Sequence, residues 1–217
     1  MASEIKQGTL ELVNHLPILQ VITPMLIAPI LVVLNNKTLS WLLSFLGALA
    51  CLFISILLMQ TVSDGSILTY YLGGWVPPIG IEYRIDAANA ILLFLISIIS
   101  AIVLIFSYSS LHAEIPEEKH TLFYSCFLLC LTGLLGVVAT ADIFNVFVFL
   151  EISSLSTYVL VAQGAYLDRR ALSASFNYLI MGTIGATFFV IGIGYIYMAT
   201  GSLNMMDIAE RVSQLGD

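Results

Sequence analysis

Charge is scarce in this chain. Seven Lys and Arg and fourteen Asp and Glu make up 10% of the 217 residues, while 59% are apolar and the mean hydropathy is +1.01. So little charge excludes an ordinary soluble surface, since globular domains carry about 25% charged residues. The clustered Lys and Arg that a nucleic-acid face or a polybasic lipid clamp requires are missing, and the net charge is −7, so no nucleic-acid partner is expected. The three cysteines, Cys51, Cys126 and Cys130, are too few for a disulfide scaffold and all lie in apolar runs. Cys126 and Cys130 stand four apart but have no histidine or second thiol pair in the sequence around them, so they read as packing residues and no metal site is expected. Nucleotide loop, nucleophile elbow and haem signature are all missing, so no cofactor is expected either. His15, His112 and His120 fall outside the apolar runs and read as solvated loop residues.

What the chain has in quantity is hydrocarbon-compatible sequence. About 20 apolar residues cross a bilayer core, and six such runs stand between polar breaks: 18–34, 39–59, 86–109, 121–140, 141–163 and 176–200. The chain therefore reads as an all-α, multi-pass integral membrane protein of about six transmembrane helices. Only Ala139-Thr140-Ala141-Asp142 separates the fourth run from the fifth, and one long helix would leave a similar pattern. Pro17, Pro24 and Pro29 predict a short, kinked first span inside a bundle, because each proline removes a ladder hydrogen bond. Residues 1–17 form an N-terminal segment without a small-residue cleavage site, so the first span is expected to stay in the mature protein. Lys37, Lys119, Arg169 and Arg170 on one side against Lys6, Arg84 and Arg211 on the other favour an outside N-terminus.

Between the second and third spans, within 61–85, Tyr70, Trp75, Pro77 and Pro78 with their neighbouring glycines predict a non-helical outer loop at headgroup level. Glu82, Arg84 and Asp86 read as a solvated rim with local ion pairs. Residues 201–217 read as an amphipathic surface helix: Asn204 and Asp207 resemble a helix start, and Met205, Ile208, Ala209 and Val212 recur at helical spacing. In the sixth span, Gly182, Gly185, Ala186 and Gly192 share a broad helical face and predict a seam for a closely packed second helix.

Glu151 breaks the apolar rule. It sits in the middle of the fifth span, where a carboxylate costs about 2.5 to 3.5 kcal/mol on insertion scales, so such acids usually persist for function. On a helical wheel Ser154 and Tyr158 lie within about 60° of it. Arg169 is 18 residues further on, about 27 Å along a helix, and every other Lys and Arg also lies at a helix end or in a loop. A carboxyl on a polar seam can take and pass a proton; the alternative role is a neutral acid hydrogen-bonded to Ser or Tyr between helices. Glu151 is the candidate translocation residue, with Ser154, Tyr158, Asp142 and Asp86 as candidate supports.

The run DIFNVFVFLEISSLSTYVLVA, the following NYLIMGTIGATFFVIGIGYIYMATGSLNM and the earlier YYLGGWVPPIGIEYRID resemble the antiporter-like membrane subunits shared by Mrp-type cation/proton antiporters and respiratory complex I, with the Mrp D subunit most similar. The resemblance covers the whole chain. It implies that Glu151 is the functional glutamate of the family's fifth helix, and that 120–200 begin the antiporter-like domain, after 18–110 with helices one to three. It also implies partners: other membrane subunits, protons, and Na+ or another monovalent cation. Family members have about fourteen helices, whereas six are present here. The seventh helix, whose lysine the family pairs with the glutamate, and the second half are not in this sequence. Three functions follow as expectations: a subunit of a multisubunit Na+/proton antiporter, a proton-pumping and itself cofactor-free membrane-arm subunit of an NADH-quinone oxidoreductase or hydrogenase complex, or a truncated structural subunit.

Overall fold

The computed structural model describes residues 14–215. Six helices long and apolar enough to cross a membrane follow one another: α1 (Leu16–Leu34), α2 (Lys37–Thr61), α3 (Ala87–Glu114), α4 (His120–Ala139), α5 (Ile143–Gln163) and α6 (Arg170–Thr200), and a short α7 (Met205–Leu215) follows them. A two-stranded antiparallel hairpin, β1 (Leu68–Tyr71) with β2 (Glu82–Ile85), lies between α2 and α3, pairing Tyr70 with Tyr83. Glu4, Lys6 and Glu11, and most of the N-terminal segment, lie outside the described residues.

Local chemistry sets the breaks. Asn35 takes a left-handed backbone (φ 42°) and its N–H closes on the Leu31 carbonyl, while Asn36 caps α2 by accepting from the Leu39 N–H at 3.2 Å, so two residues turn the chain. Asp86 and Asp142 cap α3 and α5 in the same way, from the Asn89 and Asn145 N–H groups at 2.9 and 2.8 Å. Residues 140–142 are extended and break α4 from α5, so the fourth and fifth runs are two helices. α6 begins at Arg170, six residues before the apolar run: the Asp168 carboxylate accepts from the Arg170 N–H at 2.9 Å and starts the helix in the polar layer, where hydropathy gives no signal.

α1 runs continuously through Pro24 and Pro29. Proline at 24 has no N–H for the Gln20 carbonyl, and the Cys51 thiol on α2 takes that carbonyl at 3.7 Å. The Gln20 amide, fully buried, donates to Ser97 of α3 at 3.2 Å. Buried Ser40, Ser44 and Ser55 on α2 and Ser97, Ser100 and Ser107 on α3 let these helices approach closely, as small residues do where lipid supplies no hydrophobic drive.

α4 is the centre of the bundle, packed by α1, α2, α3 and α5; 56% of its span is buried, against 6% for α6, which rests on α5. The open face of α3 is aliphatic (Ile91, Leu95, Ile99, Ile102, Ile105), as a lipid-facing surface should be. The open surface of α6 is mixed: large apolar side chains such as Phe176, Met181, Phe188 and Met198 are exposed on it, with Asn177, Thr183 and Thr187 among them at membrane depth.

Two expectations change here. The close helix contact is made by Gly133 and Gly136 of α4 against Phe149 and Ser153 of α5. On α6 only Gly182 is covered, while Gly185 and Gly192 face open space. His120 is 1% exposed, its Nε2 donating to the Ile115 carbonyl at 2.9 Å under the ring of His112, because the α3–α4 turn folds it back onto the bundle. It is not a solvated loop residue.

Candidate functional site

Glu151 is half-buried on α5 and opens onto a groove of about 320 Å³ between α5 and α6. Ser154, one turn on, lines the same groove, and Gly182, Gly185 and Ala186 of α6 form its opposite wall, with Phe147, Leu150 and Phe189 at its apolar edges. Small residues make the room: a side chain at Gly185 would enter open space, and one at Gly182 would strike the Tyr158 hydroxyl and push α6 away. Among the described residues the Glu151 side chain has neither a hydrogen bond nor an ion pair; the one ion pair found, Lys37 with Glu117, joins the α1–α2 and α3–α4 turns. Tyr158 does not line the groove. It is buried, its hydroxyl pressed against Gly182 and its ring edge-on to Tyr178 at 4.9 Å, while its carbonyl accepts from Ser175 of α6 at 2.7 Å. Tyr158 thus fixes α6 against α5 two turns from Glu151, and the groove keeps its width.

Asp142 and Asp86 are not in the groove. Asp142 is nine residues before Glu151, about 14 Å along the helix axis, and both aspartates are helix caps at the hairpin end of the bundle. Burial pushes the Asp142 carboxyl above its ordinary value, with the N–H groups of Asn145 and Phe144 pulling the other way. Around it the hairpin end is stitched together by backbone: Tyr83 bridges Thr140, and Asp142 bridges Asn204. Asn145 donates its side-chain amide to the Thr140 hydroxyl at 3.1 Å.

Tyr83 is 2% exposed in this layer, and burial pushes its phenol up to about 12, an Asn145 hydrogen bond working the other way. An unfolded tyrosine ionises near 10. Above that pH the unfolded chain gives up the proton that the folded chain keeps, so stability falls as pH rises from about 10 to about 12. Tyr83→Phe should flatten this part of the profile. Thermal unfolding in detergent across that window measures it, and an unchanged alkaline slope in the variant would assign the loss to another group.

Known proteins share this fold. Residues 140–216, from the α4–α5 turn through α5, α6 and α7, match the family model described as NADH:quinone oxidoreductase/Mrp antiporter, transmembrane. Over 94% of the chain, 40% of residues are identical to the N subunit of an NADH-quinone oxidoreductase from Desulforudis audaxviator. Over 93% of the chain, 30% are identical to the D subunit of a Na(+)/H(+) antiporter from Alkalihalophilus pseudofirmus. Among solved structures, the membrane-bound sulfane sulfur reductase, an archaeal respiratory membrane complex, superposes on 92% of the chain and 39% of its own matched chain, with a TM-score of 0.79 and 32% identity. Over 93–94% of its length the chain is similar to antiporter-like membrane subunits, and residues 140–216 match their family model. The chain spans about 40% of the length of the curated relatives it matches.

Within this antiporter-like chain the family match begins at the turn that caps the Glu151 helix, so the groove lies inside the matched region. Sequence reasoning missed the second polar centre, at the hairpin. Glu82 is 6% exposed and accepts from the Asn204 side-chain amide at 2.7 Å across 122 residues of sequence; among the described residues it forms no ion pair with Arg84, and Asp86 spends its carboxylate on the α3 cap. The solvated rim is therefore a buried joint at Glu82, because the hairpin folds down over the α4–α5 turn. The one legible signal was the helix start at Asn204, whose Oδ1 does cap α7 from the Met206 and Asp207 N–H groups at 3.0 and 3.2 Å.

Proposed function

We propose that this chain is a membrane component of a multisubunit monovalent cation/proton antiporter in the plasma membrane, with Na+ as the cation, and that Glu151 carries a step of the proton or ion path. One observation supports this reading above the others: an acid at membrane depth, without an ion-pair partner among the described residues, opens onto a groove whose far wall is largely glycine and alanine. A carboxyl retained at that expense in hydrocarbon, and left accessible along a helix seam, suits transient binding of a small cation or proton better than a fixed structural bond. Asn177, Thr183 and Thr187, exposed on α6 at membrane depth among large apolar side chains, suit cover by further membrane protein, and other subunits of the assembly are the partners we assign to it. Ser154 is assigned a supporting role at the groove, and Asp142 and Asp86 one of holding the helices that frame it.

A second reading rests on the identities: 40% with the N subunit of a quinone oxidoreductase exceeds the 30% with the antiporter D subunit. In that case Glu151 would serve a proton-pumping membrane arm, the redox chemistry being done by other subunits. Vesicles containing the native assembly separate the two. Addition of Na+ should collapse an imposed pH gradient without any electron donor; a gradient that forms only with a reduced donor and quinone, and is indifferent to Na+, overturns the antiporter reading in favour of the second.

A further inference from the structure

Ala141, in the turn that precedes the Glu151 helix, uses both of its backbone groups on neighbours from distant parts of the chain. Its N–H donates to the Glu82 carbonyl at 2.8 Å, and its carbonyl accepts from the Met205 N–H at 2.8 Å. On either side, Thr140 bridges Tyr83 and Asp142 bridges Asn204, both antiparallel, and the Ile143 N–H donates to the Leu203 carbonyl at 2.9 Å. Residues 140–142 are thus the middle of a three-segment layer, with β2 on one side and 203–205 on the other. Among the described residues the outer two segments are joined over the middle one by a single side-chain bond, the Asn204 amide donating to the Glu82 carboxylate at 2.7 Å. Glu82 is 6% exposed and Asn204 is 3% exposed, so a broken bond would leave a carboxylate or an amide buried without a partner. α5 begins in this layer, and its first turn is tied to it by the Asp142 cap and by Asn145 on Thr140.

We propose that Glu82 is a positioning residue for Glu151: by binding the α4–α5 turn through its carbonyl and Asn204 through its carboxylate, it sets the rotation of α5 that presents Glu151 to the α5–α6 groove. A helix rotates by 100° per residue, so slippage of the turn by even part of a residue moves Glu151 towards α4 or towards the open surface. The inference deepens the proposed role of Glu151 and rests on it for any effect on transport, but the geometry is testable without transport.

The bond has a direction, which makes it possible to reverse it. Asn204→Asp keeps the oxygen that caps α7 but sets two carboxylates against each other; adding Glu82→Gln supplies the donor from the other side and restores the bond. The probe is a hydrophobic carbodiimide, which modifies carboxyls in apolar surroundings, applied to membranes holding the native assembly, with the Glu151 adduct quantified by peptide mass spectrometry. Asn204→Asp should change the rate of Glu151 modification several-fold and lower transport about tenfold or more. The double variant should return both towards the unsubstituted values. An Asn204→Asp chain that accumulates normally and labels at the unsubstituted rate overturns the proposal. If that variant does not accumulate, the double variant decides: recovery of level and of labelling upholds the reversed bond, and failure to recover overturns it. Labelling that follows the swap while Glu151→Gln transports normally would keep the positioning role and sink the transport role.

Discussion

Replacing Glu151 by glutamine should leave an assembled complex that no longer couples cation movement to protons. The amide nearly matches the carboxyl in size, and the groove beside it is open on the α6 side, so the packing of Phe147, Leu150 and Ser154 has no reason to change. What changes is the ability to hold a charge or a proton at that depth, and no other acid lies well inside an apolar span to replace it. Transport should fall to the level of vesicles without the complex, while subunit content on a blot stays constant. Glu151→Asp keeps the carboxyl but withdraws it by about one methylene from the α6 wall, so a reduced rate should remain. The assay is Na+-dependent dissipation of a pH gradient. Normal transport by an assembled glutamine variant would return Glu151 to a packing role, the alternative that its sequence position leaves open.

Much of the architecture was legible because the bilayer imposes it. Six apolar runs had to become helices, since only helices satisfy every backbone group within one segment in hydrocarbon, and six were found, ending within two residues of the apolar limits except at Glu114 and Arg170, five and six residues beyond them. A cap was legible where a short polar side chain stood before residues recurring at helical spacing, as at Asn204. The isolation of Glu151 was readable too, because every Lys and Arg sits at a helix end or in a loop. Contacts across long sequence separation were not readable. Nothing local in Glu82 says that it meets Asn204, and the hairpin that carries it has a burial pattern set by the turn beneath it and not by its own alternation. The glycines show the same limit from the other side: a small-residue face marks where a helix can approach, and at Gly185 and Gly192 of α6 no described helix does. Gly133 and Gly136, spaced by three on α4, carried the same signal more briefly and are the pair that packs.

That packing should make α4 the least tolerant helix in the molecule. A Cβ at Gly133 would lie 2.6 Å from the Phe149 carbonyl oxygen and 2.7 Å from the Ser153 nitrogen, both backbone atoms of α5. Backbone in a packed helix has nowhere to go, so Gly133→Ala should push α5 off α4 and cost about 1 to 3 kcal/mol or more, with Gly133→Val worse. At Gly136 the obstructing atoms belong to the Phe149 ring, a side chain that is itself 6% exposed in the core. Gly136→Ala should therefore be destabilising as well, but through a group that can be removed. Phe149→Ala alone costs about 3 to 5 kcal/mol for its cavity. Combined with Gly136→Ala it should be less damaging than the sum of the two single variants, because the added methyl enters the space the ring has left. The same combination with Gly133→Ala should retain most of the clash, since the Phe149 carbonyl and the Ser153 nitrogen remain. Thermal unfolding of the purified assembly in detergent, read as the two coupling energies, separates these cases. Equal couplings at Gly133 and Gly136 would mean that α4 and α5 approach through side chains at both positions, and the backbone contact that seats the Glu151 helix would have to be abandoned.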